Sequence, residues 1–240
     1  MRTFFAEPGR ISDGWIELDR SEFHHARDVL RVSPVETVRV SDGNGTIYEG
    51  VLDSATGRVR VERALKMADS HCAVVLGVAL LKGDRWDWLL EKAVEVGVTG
   101  IVPLVTSRGV ARVPEQEFEK KRNRWRQIMI AALKQSGQAF LPYIEFPNSV
   151  HAFCSAALPT SSGIDSRWIL SERGGAHLKE AVRPDLKRLR VMVGPEGGWS
   201  DSELRTAQEH GFQPVSLGQQ ILRAETAPIY ALSVIRFVTE

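Results

Sequence analysis

The chain has 240 residues, 43% hydrophobic and 25% charged, with a formal net charge of +1. That size and balance suit a globular protein of one large or two smaller domains with a substantial core. No apolar run reaches the ~18 residues that span a bilayer, and Met1–Pro8 has no apolar signal core, so a cytoplasmic location is expected. Cys72 and Cys154 are the only cysteines, which excludes a disulfide framework and argues against a cysteine-based zinc site. The adjacent His24 and His25 would not face one way on a helix, so no metal is expected. Residues 1–70 hold 10 basic and 12 acidic side chains, and the remainder 21 and 18. The basic runs at 120–126 and 183–190 read first as solvated helix faces and second as phosphate contacts.

In chain order, Trp15–Leu18 reads as a short strand, and Ser21 as the cap of a helix from Glu22 to Leu30. Thr37–Val40 and Thr46–Leu52 alternate around Asp42-Gly43-Asn44-Gly45, a hairpin signal. Arg58–Glu62 alternates again. A small barrel or curled sheet over residues 1–70 follows, with a boundary near 66–72. Residues 71–240 have a different texture. Ala73–Leu81 is continuously apolar, as a strand buried on both faces would be. Asp84 reads as the cap of a helix that buries Trp86, Leu89, Leu90, Ala93 and Val94 and stops at Gly97. Ile101–Val105 is a second apolar strand and 115–136 a long helix, basic on one side. Residues 159–166 read as an exposed loop, and Arg167–Leu170 as a strand. Ser200-Asp201-Ser202-Glu203 is a capping box whose helix stops at Gly211. Ala227–Val238 is a final helix that tolerates Pro228 in its first turn. Strands alternating with helices predict an α/β domain with a parallel sheet.

Chemistry concentrates near the C-terminus. Val191–Val193 leads into Gly194-Pro195-Glu196-Gly197-Gly198 and a helix. Val215–Leu217 leads into Gly218-Gln219-Gln220-Ile221-Leu222-Arg223-Ala224-Glu225-Thr226-Ala227 and another. Strand, tight loop and helix, twice over, is the layout of a ligand site at the carboxyl edge of a parallel sheet. Glycine lets main chain approach a ligand closely. The chain carries no GxGxxG, GxxxxGK[ST], GxSxG or HExxH pattern, so the usual dinucleotide, P-loop, esterase and zinc-protease sites are absent.

The paired loops, taken with Gly-Pro-Glu-Gly-Gly and Leu-Gly-x-x-Ile-Leu-Arg-x-Glu-Thr-Ala, resemble the SPOUT or α/β-knot methyltransferases. Within them the chain is similar to the ribosomal RNA small subunit methyltransferase E family. Arg2–Phe5, His24–Val32, Lys82–Leu89, Glu91–Val98, Pro103-Leu104, Ser107-Arg108, Trp125–Ile128 and Ala131-Ala132 extend the resemblance over nearly the whole chain. One departure stands at Lys134-Gln135-Ser136-Gly137-Gln138, where the family shows Glu-Gln-Ser/Cys-Gly-Arg, so no family role carries over to positions 134 and 138. The resemblance implies a deep trefoil knot in 71–240 and a PUA-like or OB-like RNA-binding barrel in 1–70. It also implies a homodimer with the active site at the subunit interface, and S-adenosylmethionine-dependent methylation of uridine N3 in 16S rRNA.

For that reaction, Gly194, Pro195, Glu196, Gly197, Gly198, Leu217, Gly218, Ile221, Leu222 and Arg223 are assigned to cofactor contact. Leu170, Ser171 and Glu172 supply a third wall, and Thr226 and Ala227 complete the pocket. Arg223 is the candidate catalytic residue, since a guanidinium can bind a phosphate or the uracil oxygen that gains charge; the alternative is an ion pair with Glu225. Glu196 is a candidate proton acceptor or a cap of its own loop. Candidate RNA contacts are Arg2, Arg27 and Arg31 by resemblance, and Arg108, Arg112, Lys121 and Arg124 by charge. A non-catalytic RNA-binding or assembly factor on the same fold, and a methyltransferase acting on a ribose 2′-hydroxyl or a tRNA base, remain open.

Overall fold

The computed structural model describes residues 1–33, 35–68, 72–156 and 164–240. Its chain divides into two compact units, Met1–Asp69 with Ile130–Leu141, and Ser70–Met129 with Pro142–Glu240.

The first unit holds β1 (Arg2–Phe5), β2 (Ile11–Ser12), β3 (Trp15–Glu17), α1 (Arg20–His24), β4 (Val35–Ser41), β5 (Thr46–Asp53) and β6 (Arg58–Lys66). They form one sheet in the order β1-β4-β5-β6-β3-β2. The expected hairpin is β4 and β5, with Val40 opposite Tyr48, and Asp42 Oδ1 accepts from the Asn44 and Thr46 amides to close the turn. Alternation puts Phe4, Ile16, Val38, Val40, Leu52 and Val59 into a single core, all 0% exposed. Ser21 is not the helix cap. Asp19, two residues earlier, accepts from the Ser21 and Glu22 amides, and α1 runs on as one π-helical turn over His25–Val29. A carboxylate already satisfying those first amides leaves the serine nothing to cap. Within the same unit, Lys134 Nζ stands 2.5 Å from the buried Glu22, which also accepts from the Phe5 amide.

In the second unit come β7 (Ala73–Ala79), α2 (Asp84–Glu95), β8 (Gly100–Val105), α3 (Phe118–Ser136, its end grouping with the first unit), β9 (Tyr143–Ile144), β10 (Asn148–Ser149) and α4 (Val150–Ser155). There follow β11 (Ile164–Leu170), β12 (Ala176–His177), α5 (Leu178–Ala181), β13 (Leu186–Val193), α6 (Asp201–Glu209), β14 (Gln213–Ser216) and α7 (Thr226–Thr239). The sheet is parallel, in the order β10-β8-β7-β13-β11-β14-β12, with β9 beside β8. β7 lies between β8 and β13, with Val74, Leu76 and Val78 fully buried. Two expectations are corrected. The α2 cap is Gly83, at φ 57, and Asp84 opens the helix itself, where a carboxylate meets the positive end of the helix dipole. Of the expected loop 159–166, residues 159–163 lie outside the described residues, while Ile164, Asp165 and Ser166 begin β11. The capping box of α6 forms as expected, with Ser200 and Glu203 bonding reciprocally. Arg236 of α7 donates to the Cys72, Val96 and Gly97 carbonyls, tying the last helix to the start of β7 and the end of α2.

This strand order positions the site. β13, β11 and β14 are neighbours and run the same way, so their carboxyl ends, Val193, Leu170 and Ser216, open side by side.

Candidate active site

Each of those three ends feeds a loop, and the loops enclose one cavity of about 470 Å³. That volume suits a nucleoside-sized ligand. The loop after β13 turns tightly, with the Gly198 amide donating to the Pro195 carbonyl at 2.8 Å. Trp199 follows, 6% exposed, and its indole Nε1 donates to the Leu170 carbonyl at 3.0 Å. The bond pins the first loop to the end of β11. It also explains Gly194, because a Cβ there would lie 3.0 Å from the Trp199 ring. In the loop after β14, Gly218 has φ +120, a conformation that L side chains rarely adopt, and its amide donates to Ser216 Oγ at 3.3 Å.

Of the residues assigned from sequence, Leu170, Ser171, Glu172, Gly194, Pro195, Glu196, Gly198, Leu217, Gly218, Ile221, Leu222, Arg223 and Ala227 line the cavity. Gly197 does not; it packs against Arg108, whose Nη1 donates to its carbonyl at 3.1 Å. Thr226 faces a separate groove with Trp88, Ile229, Tyr230 and Phe237. Ile221 stands at the rim, 77% exposed. Arg223 is held by its main chain, since its carbonyl accepts from the Thr226 and Ala227 amides at 2.9 Å. Its guanidinium is exposed and has no partner among the described residues. The alternative ion pair with Glu225 is not formed: Glu225 is 8% exposed, and its Oε2 is buried without a partner among the described residues. Glu196 is engaged, with Oε1 2.5 Å from Arg85 Nη1.

Sequence reasoning missed Arg85 and Trp199 among the lining residues. Trp199 is signalled only by following the glycine run, and Arg85 by nothing local, since its partner is 111 positions away. A third missed group is Glu203. Its carboxylate accepts from the amides and hydroxyls of both Ser107 and Ser200, fastening the loop after β8 to the end of the first glycine loop. Burial pushes this carboxyl up, but the four hydrogen bonds outweigh it and hold Glu203 below the ordinary glutamate range.

The candidate RNA contacts are dispersed and partly occupied. In the first unit, Arg2 lies 3.5 Å from Glu36, Arg27 pairs with Asp28, and Arg31 is exposed. In the second, Arg112 donates to the Thr106, Gly109 and Ala111 carbonyls. Arg124 pairs with Asp87, and Lys121 is half-buried. Among the described residues no group of three His, Cys, Asp or Glu side chains is placed to hold a metal.

A parallel sheet whose three adjacent loops form one nucleoside-sized cleft is the layout of an RNA methyltransferase domain, and residues 68–236 match the family model so described. The chain belongs to the ribosomal RNA small subunit methyltransferase E family. It is 32% identical to the Synechocystis protein of that name, over 97% of this chain and 76% of the relative. The crystal structure of the Neisseria gonorrhoeae ribosomal RNA small subunit methyltransferase E bound to S-adenosyl methionine is 30% identical. It superposes with a TM-score of 0.86, covering 99% of this chain and 98% of that one. A putative methyltransferase from Legionella pneumophila, solved with bound SAM, is 29% identical with a TM-score of 0.87 over the same shares.

Proposed function

We propose that this chain methylates N3 of a uridine in 16S rRNA, using S-adenosylmethionine, in the cytoplasm. The observation that carries the reading is the convergence of the β13, β11 and β14 loops on one cleft. It is supported by membership of the family and by solved relatives with bound S-adenosyl methionine. The cleft suits that cofactor. Glycine main chain at Gly218 leaves room for close approach, Leu170, Leu217 and Leu222 offer apolar walls, and exposed amide and carboxylate groups stand at the rim. When bound there, the cofactor supplies an electrophilic methyl group on a sulfonium.

The protein's part is to position and to stabilise charge. Uridine N3 must lose its proton to become a nucleophile, and the negative charge then spreads onto the flanking carbonyl oxygens. Arg223, fixed by its backbone and with no partner for its guanidinium among the described residues, is the group we assign to meet that charge. Alignment of the two reactants contributes up to ~7–11 kcal/mol of barrier reduction. Residues 1–70 act as the RNA-binding domain, folded as a barrel, and 71–240 as the catalytic domain with a knotted tail. The non-sequential order β7-β13-β11-β14 and the superposition on solved relatives support that topology. The active form is a homodimer. Phe237 is 87% exposed, Tyr230 44% and Trp88 41%, and they line one apolar groove of the kind a second copy covers.

Radiolabelled methyl transfer to small-subunit RNA, followed by nucleoside digestion and mass spectrometry, tests the reading. N3-methyluridine is expected. A 2′-O-methylated nucleoside or a labelled tRNA base would assign another acceptor, and absence of transfer with retained RNA binding would make the chain a non-catalytic factor.

A further inference from the structure

The cleft is lined by three guanidiniums with different attachments, of which Arg173 is paired with Asp201 at 3.2 Å. Arg223 has no partner among the described residues. Arg85 reaches it from the first turn of α2 and is met by Glu196 of the first glycine loop, Nη1 to Oε1 at 2.5 Å. Helix stability does not explain an arginine at that position. A cation in the first turn opposes the helix dipole, and the Gly83 cap offers no side-chain hydrogen bond that Arg85 could be supporting. The pair is also half in water, with the two side chains 44% and 46% exposed, so it contributes little to folding.

The contact is single-ended. Only Nη1 is bonded, and the remaining N–H donors of Arg85 face no acceptor among the described residues. A planar fork anchored at one corner keeps its other donors oriented at low entropic cost. Meanwhile the arginines and lysine that charge singled out are less available, since Arg112 is spent on loop carbonyls and Arg124 on Asp87.

We infer that Arg85, anchored by Glu196, is a phosphate contact for the methyl-accepting nucleotide at the mouth of the cleft. On this assignment Glu196 is a positioning residue and does not take the N3 proton. The inference rests on the proposed methyl transfer to small-subunit RNA, and the experiment separates the two.

Small ribosomal subunits lacking the modification serve as substrate, over a series of salt concentrations. If the wild-type protein transfers no methyl group, the proposed function fails. If it does, R85A is expected to raise KM for the subunit about tenfold. It should also reduce the slope of log affinity against log salt by about 0.7–0.9, the value of one phosphate, with cofactor affinity unchanged. R85K, which keeps the charge and the helix, should retain the slope and recover most of the KM. E196Q should raise KM while lowering kcat less than tenfold. An unchanged salt slope in R85A overturns the inference. So does a fall of ~10²–10⁴ in kcat for E196Q at unaltered KM, the signature of a lost general base. Should R85A not fold, the charge-reversing R85E and the E196Q split decide the question by the same two readouts.

Discussion

At the scale of single residues, the cleft depends on side chains whose main chain is fixed and whose chemistry is free. Arg223 is the clearest case, its carbonyl capping the start of α7 while its guanidinium has no partner among the described residues. R223A should therefore lower kcat by about 10²–10³-fold, the cost of one preorganised donor, with little change in cofactor affinity by calorimetry. Equal losses in both would mean that the residue only shapes the pocket. Gly194 makes a second test. Its missing Cβ is what lets Trp199 reach the Leu170 carbonyl, and G194A should push the indole by a few tenths of an ångström. Overpacking of that kind costs ~1–3 kcal/mol, so cofactor affinity should fall about tenfold or more, and the intrinsic fluorescence of Trp199 should report the shift. Both glycine loops and Arg223 were legible because their signals are local, a strand followed at once by glycine. Arg85 and Glu196 were not recognisable as a pair, since they meet only through the fold. Lys134 belongs to the same group. Opposite in charge to the family's usual residue, it is explained only when the first unit brings it to the buried Glu22.

At the scale of elements, the capping box of α6 shows a local signal acquiring a second use. Ser200 and Glu203 are spaced to satisfy the first amides of a helix, and they do. Sequence spacing alone could not show that the same carboxylate also accepts from Ser107, 96 positions away. Replacing Glu203 with glutamine gives up acceptor capacity at a buried site and should cost ~1–3 kcal/mol of stability at neutral pH. Its pH dependence has a definite sign. The folded-state pKa lies below the ordinary value, so between the two the unfolded chain binds more protons, and stability rises with pH. The contribution is fully present above about pH 4.3, the unfolded value, and is lost as pH falls through the lower folded value. Denaturant melts between about pH 3 and 6 should show that acid-side loss in the wild type and a flatter profile in E203Q. The same reasoning explains the misread caps. Ser21 and Asp84 are acceptable cap residues, but Asp19 already holds the first amides of α1, and Gly83 supplies the turn before α2. Two-residue strands such as β9, β10 and β12 carry no period to read, because their pairing comes from neighbours already in place.

At the scale of the whole molecule, the parallel domain was legible from its alternation of buried strands and helices, while its strand order was not. Periodicity marks β7, β11, β13 and β14 as strands but does not say that β13 lies between β7 and β11. That order is what gathers three carboxyl ends at one cleft, and it follows from contacts among distant segments. The proposed assembly likewise rests on exposure more than on pattern. The helix α7 buries Ala231, Leu232 and Ile235 against its own unit and leaves Phe237 87% exposed beside Tyr230. A phenylalanine so placed is costly to leave in water, and its burial against a second copy would contribute ~1.5–3 kcal/mol per protomer. F237E should consequently weaken self-association by at least about thirtyfold, a hot-spot effect of 2 kcal/mol or more, seen as a monomer by light scattering at concentrations where the wild type is dimeric. Because Phe237 does not line the cavity, cofactor binding at the isolated cleft would survive if each chain holds a complete site. Loss of both together would show that the rim, where Ile221 stands exposed, is completed by the partner. A wild-type protein that is monomeric at micromolar concentration and fully active would overturn the dimer.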